Sequence, residues 1–352
     1  MRGTELKSWY VRHERSLVSS FLVAGFLLDF LTFRTLSIEV TLICLAFYLV
    51  MAAMCIIFVF VFDARHLSWG QSWLRYVRMI APLLTQLAFG SLLSMSLLFY
   101  WFSGSFSVSW PVFVFLISSI IFNESFRNAY LRPVVQVALF TFVLFSFFAL
   151  LFPYLFNSLD ASVVLLGGGV SLIFSLLFIF SLVRAVPTLR PRVKLMLVSV
   201  SVVFLVMQSL YFLNLIPPLP LSLREAGMYY RIERVGGTYL FEGEEESFVN
   251  RFLPGQILRQ GASERVYAYT SVYSPADLDT VIFHVWEYYD VTKQAWVKTD
   301  RLSFFITGGR VDGYRGFTYK SRLMVGKWRV SVETERGQVL GRIRFTYEKR
   351  SP

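Results

Sequence analysis

The chain has 352 residues and a formal net charge of +11, and its composition is 55% hydrophobic but only 16% charged. Soluble domains contain about 25% charged residues, so this composition excludes an ordinary water-soluble protein over the whole length. The charge is also unevenly distributed, because residues 1–224 contain 22 charged side chains and residues 225–352 contain 35. The sequence therefore predicts a membrane region followed by a water-soluble domain.

Seven apolar stretches are candidates for helices that cross the lipid bilayer, which takes about 20 residues each. The fourth of these stretches is short. We expect an α-helical bundle of about seven transmembrane helices, at 17–33, 38–62, 79–102, 106–122, 133–156, 162–183 and 195–216.

Lysine and arginine residues in the loops indicate how these helices are oriented. The N-terminal segment and every second loop together contain 13 of them, whereas the intervening loops contain one, Arg34. Short cytoplasmic loops are enriched in positive charge. The pattern therefore predicts a cytoplasmic N-terminus and, after seven spans, a C-terminal domain on the opposite side of the membrane.

Four charged residues are candidates for a polar site in the membrane region. Asp29 lies inside the first predicted span, where a charge costs about 2.5–3.5 kcal/mol at the bilayer centre and often marks function. It lies in the outer third of that helix, however, so an interfacial or structural role is the alternative. Glu124, Arg127 and Arg132 lie between spans four and five. They are either interfacial charges of a short helical connection or a contact for an anionic lipid or a partner.

Small and amide side chains within the spans predict how the helices pack. Residues 167–169 are consecutive glycines, which indicate a close helix crossing. Gln86, Gln136 and Gln208 are expected to form hydrogen bonds between helices.

The sequence pattern changes after the last span. Three prolines predict an extended linker over 217–225, which holds the following domain close to the membrane. From 226 to 352 apolar residues alternate with polar ones, which is typical of half-buried strands. Short strands at this spacing favour an all-β, immunoglobulin-like antiparallel sandwich with Trp286 and Trp328 in its core. The predicted strands are 265–273, 281–289, two short runs within 296–307, 316–322, 327–334 and 339–347.

Two runs in this domain carry a family resemblance, HVWEYYDVTKQAWVKTDRLSFFITGGRVDGYRGFTYK and GKWRVSVETERGQVLGRIRF. Through its W-E-Y, G-G-R, G-Y-R-G and K-W-R-V blocks, roughly 264–347 resembles the bacterial family catalogued as domain of unknown function 2914. The layout of the preceding spans resembles the family catalogued as domain of unknown function 5924. Together the resemblances imply a bacterial envelope protein, hence a multi-pass protein of the inner membrane with a periplasmic C-terminal domain. They imply no activity and no catalytic residues.

The β domain offers few groups for catalysis or metal binding. His284 is its only histidine and it has no cysteine, which argues against a metal site built from nitrogen and sulfur ligands. On its predicted strand His284 shares a face with Trp286, so we expect a hydrogen-bonded histidine of the core or of a strand edge. The glycine-rich segment 308–316 lacks the G-K-[ST] ending of a phosphate-binding loop. We expect no catalytic residue, no metal, no cofactor and no nucleic-acid partner.

Basic residues near the end of the chain form the candidate binding face of this domain. Five of them fall within 18 residues, with one acidic residue among them. The surrounding glycines predict turns that gather several of these side chains at one end of the sandwich. Near a membrane, anionic headgroups attract each such charge by about 1 kcal/mol. The set is either a docking site for anionic lipid or another acidic envelope partner, or a solvated rim that keeps the domain soluble. It consists of Arg310, Arg315, Lys320, Arg322 and Lys327.

These features predict an inner-membrane protein whose periplasmic sandwich binds or scaffolds an envelope partner, either a protein or a glycan. The longest predicted inside loop has about 16 residues, which leaves no room for a cytoplasmic output domain. The alternative is a membrane-embedded enzyme or lipid-handling protein that carries the sandwich as an accessory domain. The sequence does not indicate an oligomeric state.

Overall fold

A computed structural model describes most of the chain, and its helices and strands form separate compact units. Two predicted spans, 17–33 and 106–122, lie largely outside the described residues. Five candidate site residues lie outside them as well: Asp29, Glu124, Arg127, Arg132 and Arg310. The described ranges are 38–64, 72–103, 133–216, 221–236, 238–243, 256–259, 265–274, 279–307 and 313–348, with isolated positions between 13 and 28 and at 110 and 114.

Among the described residues, five helices are long and apolar enough to cross a membrane. They coincide with five of the seven predicted spans. A 3-10 helix, Pro187–Arg192, leads into the last of them, because a proline is tolerated in the first turn of a helix, where no N–H partner is lost. The five are α1 (Ile38–Ala64), α2 (Ser72–Ser103), α3 (Pro133–Phe156), α4 (Ala161–Ala185) and α5 (Val193–Phe212).

Glycines allow α4 to pack closely against its neighbours. A side chain at Gly167 would begin 3.1 Å from the backbone oxygen of Phe148 on α3. A side chain at Gly168 would collide with the amide of Gln208 on α5. The predicted close helix crossing is therefore confirmed at these two glycines. The amide of Gln208 packs on Gly168 and makes no hydrogen bond to a described residue, in contrast to the expected bond between helices.

The C-terminal unit contains ten strands among its described residues. They are β1 (Ser222–Tyr229), β2 (Arg231–Val235), β3 (Thr238–Glu242), β4 (Gln256–Arg259), β5 (Arg265–Tyr273), β6 (Thr280–Asp290), β7 (Ala295–Ile306), β8 (Tyr314–Ser321), β9 (Gly326–Thr334) and β10 (Val339–Glu348). One sheet has the order β1-β5-β8 and a second has the order β4-β10-β9-β6-β7, while β2 and β3 form a hairpin. Neighbouring strands are antiparallel except β4 and β10, which are parallel.

The predicted strands from 265 onward are confirmed as β5 to β10, with one difference. The two runs predicted within 296–307 form a single strand, β7, whose register against β6 shifts between Trp286 and Glu287. This bulge explains the interrupted alternation in the sequence. At the other end, β1 begins at Ser222, inside the predicted linker, because the preceding Leu221 is already buried in the core.

The core lies between the two sheets. Trp286 on β6 and Trp328 on β9 are fully buried, which confirms their predicted role. The ring centroid of Phe345 on β10 lies 6.3 Å from each of the two indoles. Val266 and Ala268 of β5 close the cluster from the opposite sheet. Because inward and outward side chains alternate along a strand, each sheet also has an outer face.

Candidate functional site

His284 belongs to the core. It is completely buried on β6, and its ring nitrogens lie 2.9 Å from the hydroxyls of Thr270 on β5 and Thr318 on β8. The indole N–H of Trp286 donates to the same Thr318 hydroxyl at 3.2 Å. Burial lowers the pKa of His284 to about 3, so the ring is neutral at pH 7. The expectation of a hydrogen-bonded core histidine is therefore confirmed.

The outer face of the five-stranded sheet carries a network of charged side chains. Glu287 on β6 accepts two hydrogen bonds from Arg329 on β9, at 2.5 Å from Nε and 3.0 Å from Nη2. The Ser331 hydroxyl donates to the same carboxylate at 3.1 Å, and Nε of Arg342 donates to Ser331 at 3.4 Å. The Arg329 guanidinium also lies 4.4 Å from the ring centroid of Trp296. We define the arginine face as Glu287, Lys298, Arg301, Arg329, Ser331, Glu333, Arg342 and Arg344.

Strand register explains how these residues come together. Glu287 stands opposite Lys298 on β7 and opposite Arg329 on β9. Arg329 in turn stands opposite Arg344 on β10, and Ser331 stands opposite Arg342. Residues that are distant in sequence therefore form rows across four strands, within reach of one another.

Burial and neighbouring charges shift the pKa values of this face. Burial raises the pKa of Glu333, and the negative charge of Glu287 adds to the increase against the effect of Lys298. Burial lowers the pKa of Arg342, and the positive charge of Arg329 lowers it further. Burial also opposes ionisation of Glu287, but the hydrogen bonds and charge of Arg329 outweigh it and hold that pKa below its usual value. Both Glu287 and Arg329 are therefore charged near pH 7.

The outer face of the three-stranded sheet is aromatic. Tyr267 on β5 stands opposite Tyr229 on β1 and Tyr319 on β8. Its ring centroid lies 5.6 Å from that of Tyr319 and 6.0 Å from that of Phe317, and these two side chains are 47% and 40% exposed. The guanidinium of Arg265 lies 4.8 Å from the centroid of Tyr319. We define the aromatic face as Tyr229, Tyr239, Phe241, Tyr267, Tyr269, Phe317 and Tyr319.

The β2–β3 hairpin packs on one part of the aromatic face. The ring centroids of Phe241 and Tyr239 lie 4.6 Å and 5.7 Å from that of Tyr269, which is buried beneath them. The Tyr269 hydroxyl donates to Glu225 at 3.4 Å. Burial and the negative charge of Glu225 raise the pKa of Tyr269 to about 12. The hairpin thus covers Tyr269 and leaves the outer rings of β8 exposed.

The described residues of the predicted basic binding face do not form one cluster. Arg315 and Arg322 lie near opposite ends of β8, roughly 23 Å apart along the strand. Lys320 lies an odd number of positions from Arg315, so it faces inward, where its ammonium pairs with the carboxylate of Asp300. Lys327 is exposed at the start of β9, in the other sheet. The expected gathering of these residues at one end of the domain is therefore corrected by the alternation and length of β8.

Sequence reasoning missed both outer faces. A signal for the arginine face was present, because Arg329, Ser331 and Glu333 alternate with core residues on β9. The same alternation holds for Arg342 and Arg344 on β10. What the pattern lacked was the order of strands, which decides that the two sets are neighbours. The aromatic face gave less signal, since β1 to β3 were not among the predicted strands.

Both faces carry groups that bind by stacking, hydrogen bonding or charge. In the part of the chain that the structure describes, no group of three or more His, Cys, Asp or Glu side chains is placed to hold a metal ion.

Comparison with known proteins supports the assignment of the C-terminal domain. Residues 279–347 match the model of a family described as a protein of unknown function, DUF2914. The match spans most of β6 and all of β7 to β9, and it includes the whole arginine face. No curated protein and no solved structure matches the chain. The class defined here is a protein with helices able to cross a membrane and a C-terminal β domain similar to this family. The resemblance of the preceding spans to domain of unknown function 5924 stays a prediction.

Proposed function

We propose that the chain is a multi-pass protein of the bacterial inner membrane that presents its C-terminal domain in the periplasm to bind a protein partner. The loop charges support this location, since 13 basic residues lie in one set of loops and one in the other. Five of the seven proposed spans coincide with helices able to cross a membrane. The resemblance of the domain to a bacterial family supports the envelope setting.

The domain is proposed to be an immunoglobulin-like sandwich. The order β10-β9-β6-β7 corresponds to strands G, F, C and C′ of a variable-type domain, and β1-β5-β8 corresponds to A, B and E. Trp286 is buried on the strand that corresponds to C, where immunoglobulin domains carry their core tryptophan. The domain has no cysteine, so packing takes the place of the disulfide between sheets.

One observation carries the binding proposal: Phe317 and Tyr319 are exposed side by side on the aromatic face, next to Arg265. Contiguous apolar patches on a protein surface often mark interaction sites. Tyrosine and arginine are enriched among the residues that dominate binding energy. Contacts with Tyr267 hold the two rings, so little side-chain entropy is lost when a partner binds.

A protein fits the aromatic face better than lipid or a glycan does. The rings lie on the flat face of a sheet, whereas insertion into a bilayer requires apolar side chains that protrude. The proposed spans already anchor the chain, so lipid affinity at this face would add little. The ring planes of Tyr267 and Tyr319 are tilted by 45°, so they do not form a coplanar platform for a sugar. Arg265 adds a preference for an acidic residue on the partner protein.

Photo-crosslinking in living cells tests this proposal. Benzoylphenylalanine in place of Tyr319 in the full-length chain should give a discrete crosslinked protein. The same probe in place of Val291, an exposed residue between β6 and β7, should not give it. Phe317→Asp in the chain with the Tyr319 probe should remove the product without changing the amount of protein. Crosslinks to lipid alone, or equal products from both positions, would contradict the proposal.

A second candidate function, a membrane-embedded enzyme or lipid-handling protein, is favoured by Gln208. This residue is buried in α5, and neither atom of its amide has a hydrogen-bond partner among the described residues. A buried polar group without a partner costs about 1–3 kcal/mol, and polar residues inside a membrane are often functional. Complementation of a deletion strain separates the two candidates. Loss of complementation with Gln208→Leu but not with Phe317→Asp supports the enzyme, and the reverse supports the binding module.

A further inference from the structure

The arginine face carries more positive charge than its own carboxylates neutralise. It contains five basic residues and two acidic ones. Both oxygens of Glu287 are already engaged, one by Arg329 alone and the other by Arg329 and Ser331. Glu287 therefore balances Arg329 and leaves the arginines of β10 to be balanced otherwise.

Three arginines of this face lie on two adjacent strands. Arg342 and Arg344 are two positions apart on β10 and thus point to the same side. Arg329 on β9 stands directly opposite Arg344. Like charges in directly opposed positions destabilise a sheet. The mutual effect is visible at Arg342, whose pKa is lowered first by burial, then by Arg329 and also by Arg344. An anion placed between these guanidinium groups would remove that repulsion.

The arginines are also held in place before any ligand arrives. Arg329 is fixed by two hydrogen bonds to Glu287 and by its contact with the ring of Trp296. Arg342 is directed by its hydrogen bond to Ser331, which is itself buried. Arg344 is exposed, so the cluster is open to solvent on that side. Guanidinium groups fixed in this way offer planar pairs of donors, the geometry that phosphate oxygens accept.

We propose that Arg342 and Arg344, with Arg329 beside them, form a binding site for a phosphate group. A phosphate monoester carries a charge of about −1.5 to −2 at pH 7, which offsets more of the surplus than the single charge of a carboxylate does. It also has three terminal oxygens, enough to accept from more than one arginine. The group belongs either to a free phosphate or to a lipid headgroup. The site lies on the sheet opposite to the aromatic face, so it is independent of the proposed protein partner.

Phosphate binding by the full-length protein in a neutral detergent tests the site. Titration with inorganic phosphate at pH 7.5, at ionic strength held constant with chloride, should show saturable binding and a higher melting temperature. Arg344→Gln should weaken the binding about tenfold or more, because a charged hydrogen-bond donor is lost. Arg344 is exposed, so this variant keeps the fold. Arg315→Gln, on the three-stranded sheet, is the matched control and should bind as the parent does.

Two further arms identify the source of the phosphate. The same titration with dioleoyl phosphatidic acid in detergent micelles, against dioleoyl phosphatidylcholine, reports on a lipid headgroup. Preference for phosphatidic acid over inorganic phosphate, lost in Arg344→Gln, assigns the site to lipid, and the opposite preference assigns it to a soluble phosphate. No saturable binding of either probe, or equal binding by Arg344→Gln and the parent, overturns the proposal.

Discussion

The ring of His284 and the hydroxyl of Thr318 lie 2.9 Å apart across the core, and their hydrogen bond joins β6 of one sheet to β8 of the other. Thr270 contacts the second ring nitrogen at the same distance. A buried polar group costs free energy unless it finds a partner, and here both nitrogens have one. The network therefore helps to fix how the two sheets are matched, which in turn positions both outer faces.

This network predicts that the β domain loses stability on acidification. Burial lowers the pKa of His284 to about 3, whereas an unfolded histidine titrates near 6.5. Below pH 6.5 the unfolded chain binds a proton that the folded chain does not. The free energy of unfolding should therefore fall by about 1.4 kcal/mol per pH unit until the pH approaches 3. Above pH 6.5 this histidine adds no pH dependence. Urea unfolding followed by tryptophan fluorescence at several pH values measures the slope.

A histidine substitution provides the control for that experiment, because carboxylates also titrate in this range. His284→Gln keeps a neutral hydrogen-bonding side chain and removes the titration. The variant should be less stable at pH 7.5 but should lose less stability per pH unit than the parent. Identical slopes for the two proteins would show that His284 does not titrate on unfolding.

The boundary of the β domain gives a second prediction. Because Leu221 is buried in the core and β1 pairs with β5, a fragment of residues 214–352 should fold by itself. A fragment that begins at 231 lacks β1, leaves one edge of β5 unpaired and should be unfolded or aggregated. Circular dichroism and thermal melting of the two fragments compare them. Equal melting temperatures would show that β1 is not part of the folded domain.

A third prediction concerns the core. Trp328→Ala should lower the free energy of unfolding by about 3–5 kcal/mol, because the indole is fully buried against Phe345. Trp296→Ala removes the same side chain from the outer face, where it is only half-buried, and should cost less. Urea unfolding of both variants checks the difference. Similar losses at the two positions would be inconsistent with a core between the sheets.

A fourth prediction concerns the helix bundle. Gly167→Leu should lower the melting temperature of the full-length protein in detergent, because a side chain there meets the backbone of Phe148 on α3. Gly169→Leu is the matched control, since a side chain at Gly169 has no atom within 4 Å. If both variants melt at the same temperature, the close crossing is not made through Gly167.

The sequence allowed much of this architecture to be predicted, for reasons that differ between regions. Long apolar runs identified the helices directly, and strict alternation identified β5, β6, β9 and β10. The outer faces were not predicted, because Glu287 and Arg329 are 42 residues apart and meet only through the strand order. Lys320 was assigned to a surface set on sequence proximity alone, whereas its position on β8 turns it inward to Asp300. Local periodicity thus predicts which residues face outward, but not which outward residues meet.

The location of the β domain outside the cytoplasm is the central claim, and reporter fusions test it most directly. Alkaline phosphatase, which is active only outside the cytoplasm, is fused after Pro352 in one chain and after Arg192 in another. The 13-to-one distribution of basic residues between alternate loops predicts activity for the fusion at Pro352 and none at Arg192. Activity at Arg192 with silence at Pro352 would place the β domain in the cytoplasm and contradict the account.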